Sequence, residues 1–114
     1  MTRNVVVTGI GMTTPLGGDV ASTWAQALAG NSGISPMGPD WDPEQPAKIA
    51  GHMKVDPEEI LSRVEVRRMD RSEQCALIAT REAWADAGAP EMDPVRLGAV
   101  VASGIGGVNS LMVS

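Results

Sequence analysis

The apolar positions of this chain fall into two kinds of run. Val5–Val7 is a short β-branched run that stops at Thr8-Gly9, and Leu97–Gly107, LGAVVASGIGG, is a similar unit near the other end. Each predicts a buried strand opening into a tight glycine loop, and each loop contains Gly-Ile-Gly. Between them the apolar period becomes helical. Val20, Trp24, Ala27 and Leu28 recur at i, i+4, i+7 and i+8 behind a candidate N-cap, Asp19, with Gly30 placed to end the helix. Asp56-Pro57-Glu58-Glu59 predicts another helix start: Asp56 caps, Pro57 takes the first turn, where its missing N–H does no harm, and Glu59 completes a capping-box spacing. A longer helix is expected over roughly Asp70–Ala87. Its stripe is Met69, Ala76, Thr80, Ala83 and Ala87, flanked by Leu77 and Trp84, and Gly88 ends it. Residues 31–46 carry Gly33, Pro36, Gly38, Pro39, Pro43 and Pro46, which predicts an irregular loop tied down by Trp41. Lys48–Lys54 reads as a short edge strand. The order β-loop-α through α-β predicts an α/β protein with a mostly parallel sheet.

Composition narrows this picture. The chain has 114 residues, 43% of them hydrophobic, enough for one small domain. Phe and Tyr are absent, so a core must come from aliphatic residues, Met, Ala and three Trp. A formal charge of −5 argues against general nucleic-acid binding. One cysteine allows no internal disulfide and no CxxC metal site. No apolar run approaches the roughly 18 residues of a membrane span, and the apolar run in MTRNVVVTG is too short for a secretory signal. The expectation is a soluble, cytoplasmic protein. Gly106–Ser114 begins what reads as a helix and stops, so we expect a chain cut short.

Few residues offer chemistry. Gly9-Ile10-Gly11 resembles the start of a dinucleotide fingerprint, but Thr14 stands where the third small residue belongs and the helix starts only near residue 20. A tight turn in which backbone passes close to backbone is the favoured reading. Gly104-Ile105-Gly106-Gly107 implies a close approach too, by a ligand or by another chain. Cys75 lies inside a predicted helix, which favours packing over nucleophilic catalysis. His52 is the single histidine, and with no second one it makes no acid–base pair or metal cluster. Arg63, Arg67, Arg68 and Arg71 stand close together in an acidic protein. In one continuous helix Arg63, Arg67 and Arg71 share a face, which is either a solvated surface partly paired with Glu65 and Glu73 or a docking patch for an acidic partner.

VVVTGIGMTTPLG, DVASTWAQALAGNSGI, RRMDRSEQCALIATREAWADAG and VVASGIGG, in that order, resemble the N-terminal part of the β-ketoacyl-acyl-carrier-protein synthases. The similarity runs from about Arg3 to Gly107. It is greatest to the elongating enzymes of type II fatty acid synthesis, with polyketide ketosynthases next. The resemblance implies a thiolase-like fold, a mixed sheet flanked by helices in a homodimer, of which residues 1–114 are part of the first half. It implies decarboxylative condensation of an acyl thioester with malonyl-acyl carrier protein through an acyl-cysteine, assisted by two histidines and without a cofactor or metal. The nucleophile and both histidines are expected beyond this segment, since Cys75 and His52 match neither motif. The chain as given then holds no catalytic residue. Ile105 matches the residue that lines the acyl pocket at the dimer interface. Arg67 and Arg68 match positions that contact the acyl carrier protein. A third basic position of that patch is Val64 here, with Arg63 beside it. Two other readings stay open at this point, a non-catalytic carrier-docking or subunit-interaction module and a partial gene product without function.

Overall fold

The computed structural model describes residues 2–113. The chain divides into two compact units: Met12–Asp56 is one, and the segments on either side of it form the other.

In the unit Met12–Asp56, helix α1 spans Val20–Leu28. Asp19 caps it as expected, in extended conformation, accepting from the Ser22 amide while the Ser22 hydroxyl returns to the Asp19 backbone. The Asp19 carboxyl titrates below its ordinary range because the Ser22 hydroxyl and amide hydrogen-bond its charged form. Gly30 adopts φ 73° just past the helix. The apolar face meant for a core is open: Trp24 is 63% exposed and Leu28 70%. The apolar period selected the face but not anything to cover it.

The proline-rich loop is not wholly irregular. Strand β1, Ile34–Pro36, pairs antiparallel with β2, Ile49–Gly51, in the register Ile34–Gly51, Ser35–Ala50 and Pro36–Ile49. Pro36 is admissible because it ends a strand at a sheet edge, where its lost N–H breaks no interior ladder. The ladder continues through the next residue, whose amide (Met37) donates to the Lys48 carbonyl. Trp41 ties the connection down as expected, its Nε1–H donating to the Ala47 carbonyl at 2.8 Å. Thr14 organises the turn before α1. Its hydroxyl bonds Thr23 Oγ1 at 2.9 Å and accepts from the Leu16 and Gly17 amides.

In the other unit, α2 spans Pro57–Ile60, α3 Arg63–Arg68 and α4 Arg71–Asp86. A 3₁₀ turn follows at Pro94–Arg96 and α5 at Val108–Val113. Ser114, at the end of the segment read as an interrupted helix, lies outside the described residues. Helix α4 falls where periodicity placed it, with Asp70 as N-cap and Ala87 as C-cap. Its packed ridge is shifted from the expected stripe. Gln74 and Ile78 are buried, Ala79, Ala83 and Ala87 lie under the first glycine loop, and Thr80 faces outward. The small core joins Pro57 and Leu61 to Ile78, with α2 packed on α3 and α4.

Neither expected buried strand is in a sheet. Val5, Val6 and Val7 are 93%, 73% and 81% exposed, and Val100 and Val101 98% and 70%. The antiparallel pair β1–β2 is the sheet found among the described residues, and no parallel ladder accompanies it. β-branched side chains favour extended backbone, but a strand also needs neighbours for its N–H and C=O groups. Among the described residues nothing pairs with these two segments.

Candidate functional site

The arginine cluster is built by two helix starts in quick succession. Ser62 caps α3 in a capping box with Glu65, and Asp70 caps α4 in a second box with Glu73. Between them Met69 is extended, at φ −125° and ψ 141°. The condition for Arg63, Arg67 and Arg71 to share one face, a continuous helix, is therefore not met. Arg63 and Arg67 share α3, whereas Arg71 opens α4. Arg67 and Arg68 occupy the last turn of α3, where cations suit the partial negative charge of the helix end.

The carboxylates of Glu65 and Glu73 are committed to other partners. The Glu65 carboxylate accepts from Arg81 Nη2 at 2.5 Å and from the Ser62 amide and hydroxyl, both at 2.9 Å. The Arg81 hydrogen bond, followed by the Ser62 bonds, lowers its pKa from an ordinary 4.5 to about 2. Glu73 accepts the Asp70 amide at 3.0 Å. Both acids are engaged in caps, and Arg63, Arg67 and Arg68 have no ion-pair partner among the described residues. Arg63 and Arg67 border a depression of about 320 Å³ with Leu61 and Val66, while Glu58 adds a single acid at its edge. Val64, at the substituted position, is 58% exposed.

One residue central to this geometry escaped the sequence reading. Gln74 is only 6% exposed, and its Nε2 donates to the carbonyls of Met69 at 3.0 Å and Val66 at 3.2 Å. No apolar period marks a glutamine as buried. The sequence did carry the signal for the helix break, since Ser62-x-x-Glu65 and Asp70-x-x-Glu73 are both capping-box spacings.

The two glycine loops differ. Gly9 and Gly11 lie against the α4 backbone. A Cβ on Gly9 would stand 2.8 Å from the Ala87 nitrogen, and one on Gly11 2.7 Å from the Ala83 nitrogen. The Ile10 amide donates to Asp86 Oδ2 at 2.9 Å. Helix backbone fills the space a pyrophosphate would need, and the Thr14 hydroxyl is spent inside its own turn. The close-packing reading of this loop holds. In the second loop Gly104 and Gly106 face open space, the Gly106 amide donates to Ser103 Oγ at 3.0 Å, and Ile105 is 81% exposed. Only Gly107 is crowded, against the Asp70 side chain. Asp70, also held below its ordinary pKa by hydrogen bonds from Ser72 and Glu73, thus lies between the Ile105 loop and the end of the arginine-bearing helix. The structure brings these features to one end of α4 without joining them in a pocket.

Cys75 is half-buried on α4, and His52 is exposed beyond β2. Among the described residues no group of three His, Cys, Asp or Glu side chains could hold a metal ion. No helix is long and apolar enough to cross a membrane.

Comparison with known proteins gives the family: the β-ketoacyl synthase N-terminal domain profile matches residues 2–113, and the chain belongs to that family. It is 38% identical over 113 residues to 3-oxoacyl-[acyl-carrier-protein] synthase 2 of Mycobacterium leprae. It is 37% identical over 112 residues to the protein of the same name in Mycobacterium bovis. These alignments cover 97% and 96% of this chain but 27% of each relative, so the chain spans about a quarter of their length.

Proposed function

We propose that residues 1–114 are part of the N-terminal domain of a condensing enzyme of fatty acid synthesis, and that their role in it is to dock acyl carrier protein. The enzyme joins an acyl thioester to malonyl-acyl carrier protein through an acyl-cysteine, within a thiolase-like, homodimeric, cytoplasmic protein. Family membership and the names of the relatives support this reading. The condensing step is not assigned to this segment, because its one cysteine is half-buried in mid-helix and its one histidine stands exposed without a second. Ile105, exposed on its loop, is assigned to the acyl-chain pocket.

The observation that carries the docking role is the pairing state of the arginines. In a chain of net charge −5, Arg63, Arg67 and Arg68 stand together while Glu65 and Glu73 are engaged in helix caps, and Glu58 is the one acid lining the depression beside them. Surface cations beside a depression that Leu61 and Val66 also line suit an acidic partner, orienting and speeding its encounter. Calorimetric titration with acyl carrier protein tests this. Binding at low salt that weakens as salt rises, and is lost in Arg67→Glu plus Arg68→Glu, is the expected result. Absence of binding at both salt levels, or binding indifferent to the double substitution, overturns it.

A further inference from the structure

We propose that Gln74 is the positioning residue of the arginine patch, acting through the end of α3; the inference rests on the docking reading above. Helix α3 is six residues long, too short to be stable by its own propensity. Its start is secured by the Ser62–Glu65 box. At its other end the chain leaves through extended Met69, so its last carbonyls lack the next helical turn. The Gln74 side chain supplies donors there. One amide nitrogen reaches both the Val66 carbonyl, inside α3, and the Met69 carbonyl, just past it. Arg67 and Arg68 are the residues between those two carbonyls. A side chain rooted in the 16-residue α4 therefore brackets the backbone of both docking arginines.

The orientation of the amide follows from its partners. Turned over, the amide would set its oxygen against two carbonyl oxygens, with no donor between them. As placed, Oε1 is buried without a partner. A buried orphan acceptor is unfavourable, so the site gives up satisfaction of one polar atom in order to hold the end of α3. An apolar residue would fill the same space without that penalty, but it could not hold the two carbonyls. The exposed arginines thus owe their direction to a residue that no partner touches.

The test is a double-mutant cycle on carrier-protein binding, using the full chain at low salt. Gln74→Met keeps the volume and removes both donors. It is expected to weaken binding about three- to tenfold, the loss corresponding to hydrogen bonds of ordinary strength. In the Arg67→Ala background the same change should have less than half that effect, because its route to the partner is gone. An unchanged affinity in Gln74→Met, with Arg67→Ala still weakened, overturns the inference and leaves the docking reading standing. Equal losses in both backgrounds overturn it too, since they report general destabilisation. No binding by the unaltered chain removes the docking reading, and the inference with it. If Gln74→Met does not fold, the unaltered ¹⁵N-labelled chain decides. The Gln74 side-chain amide signals should shift during carrier titration with the same midpoint as the Arg67 and Arg68 amides, and signals that stay fixed overturn the proposal.

Discussion

Gly9-Ile10-Gly11 and Gly104-Ile105-Gly106 are the same tripeptide, each preceded by a β-branched run, yet they are glycine-rich for different reasons. The first lies on the Ala79–Ala83–Ala87 ridge so closely that its missing side chains are occupied by helix backbone. The second meets nothing at Gly104 and uses Gly106 for a left-handed turn at φ 76°. One loop is a packing device and the other a conformational one. Identical local sequence therefore says little about function until the neighbours are known. The second loop, open at Gly104 and Gly106, leaves Ile105 exposed.

Substitution by alanine separates the two loops most sharply at Gly11. A Cβ there must displace the Ala79 and Ala83 backbone, so Gly11→Ala should destabilise by about 2–3 kcal/mol, the upper range for overpacking. Denaturant unfolding of the two proteins measures it, and a loss below the error of the extrapolation would show that the loop is not seated on α4.

The second loop should respond less. Gly106→Ala meets open space and incurs only the left-handed backbone penalty, about 1 kcal/mol, whereas Gly104→Ala should fall within about 0.5 kcal/mol of the parent. Equal effects at the two positions would contradict the conformational role assigned to Gly106.

The smallest expected effect distinguishes the helix starts. The Glu65 pKa is depressed to about 2, so its hydrogen-bonded, ion-paired form contributes stability in full above the ordinary value of 4.5. That contribution is lost as pH falls from 4.5 through about 2, where the folded form also takes up the proton. Asp19 and Asp70 are shifted the same way. Unfolding followed between neutral and acid pH should show stability falling on acidification, with a shallower slope in Glu65→Gln. An identical slope would mean that the Arg81 contact is not maintained in solution, as weak exposed pairs often are not.

How much was legible depended on the range of the interaction. Helix α1 and its Asp19 cap, helix α4 and its end at Gly88, the Trp41 tie and β2 were all read from residues a few positions apart. The second capping box was equally local. Read together with the first, it predicts the break at Met69 that separated Arg71 from Arg63 and Arg67. The engagement of Glu65 was not readable, because its partner Arg81 lies 16 residues away on another helix. Nor was the β1–β2 pairing, which needed Pro36 to fall at a strand end.

By itself, the sequence determined the helix starts and stops, the extended tendency of the valine runs and the order of motifs that mark the family. These depend on steric and hydrogen-bonding preferences within a turn or two of chain. Tertiary structure decided which glycines are filled and which are open, which acids remain to neutralise the arginines, and that a buried glutamine holds the end of α3. Each of those depends on atoms brought together from distant positions. Local chemistry permits such contacts, but only packing selects among them.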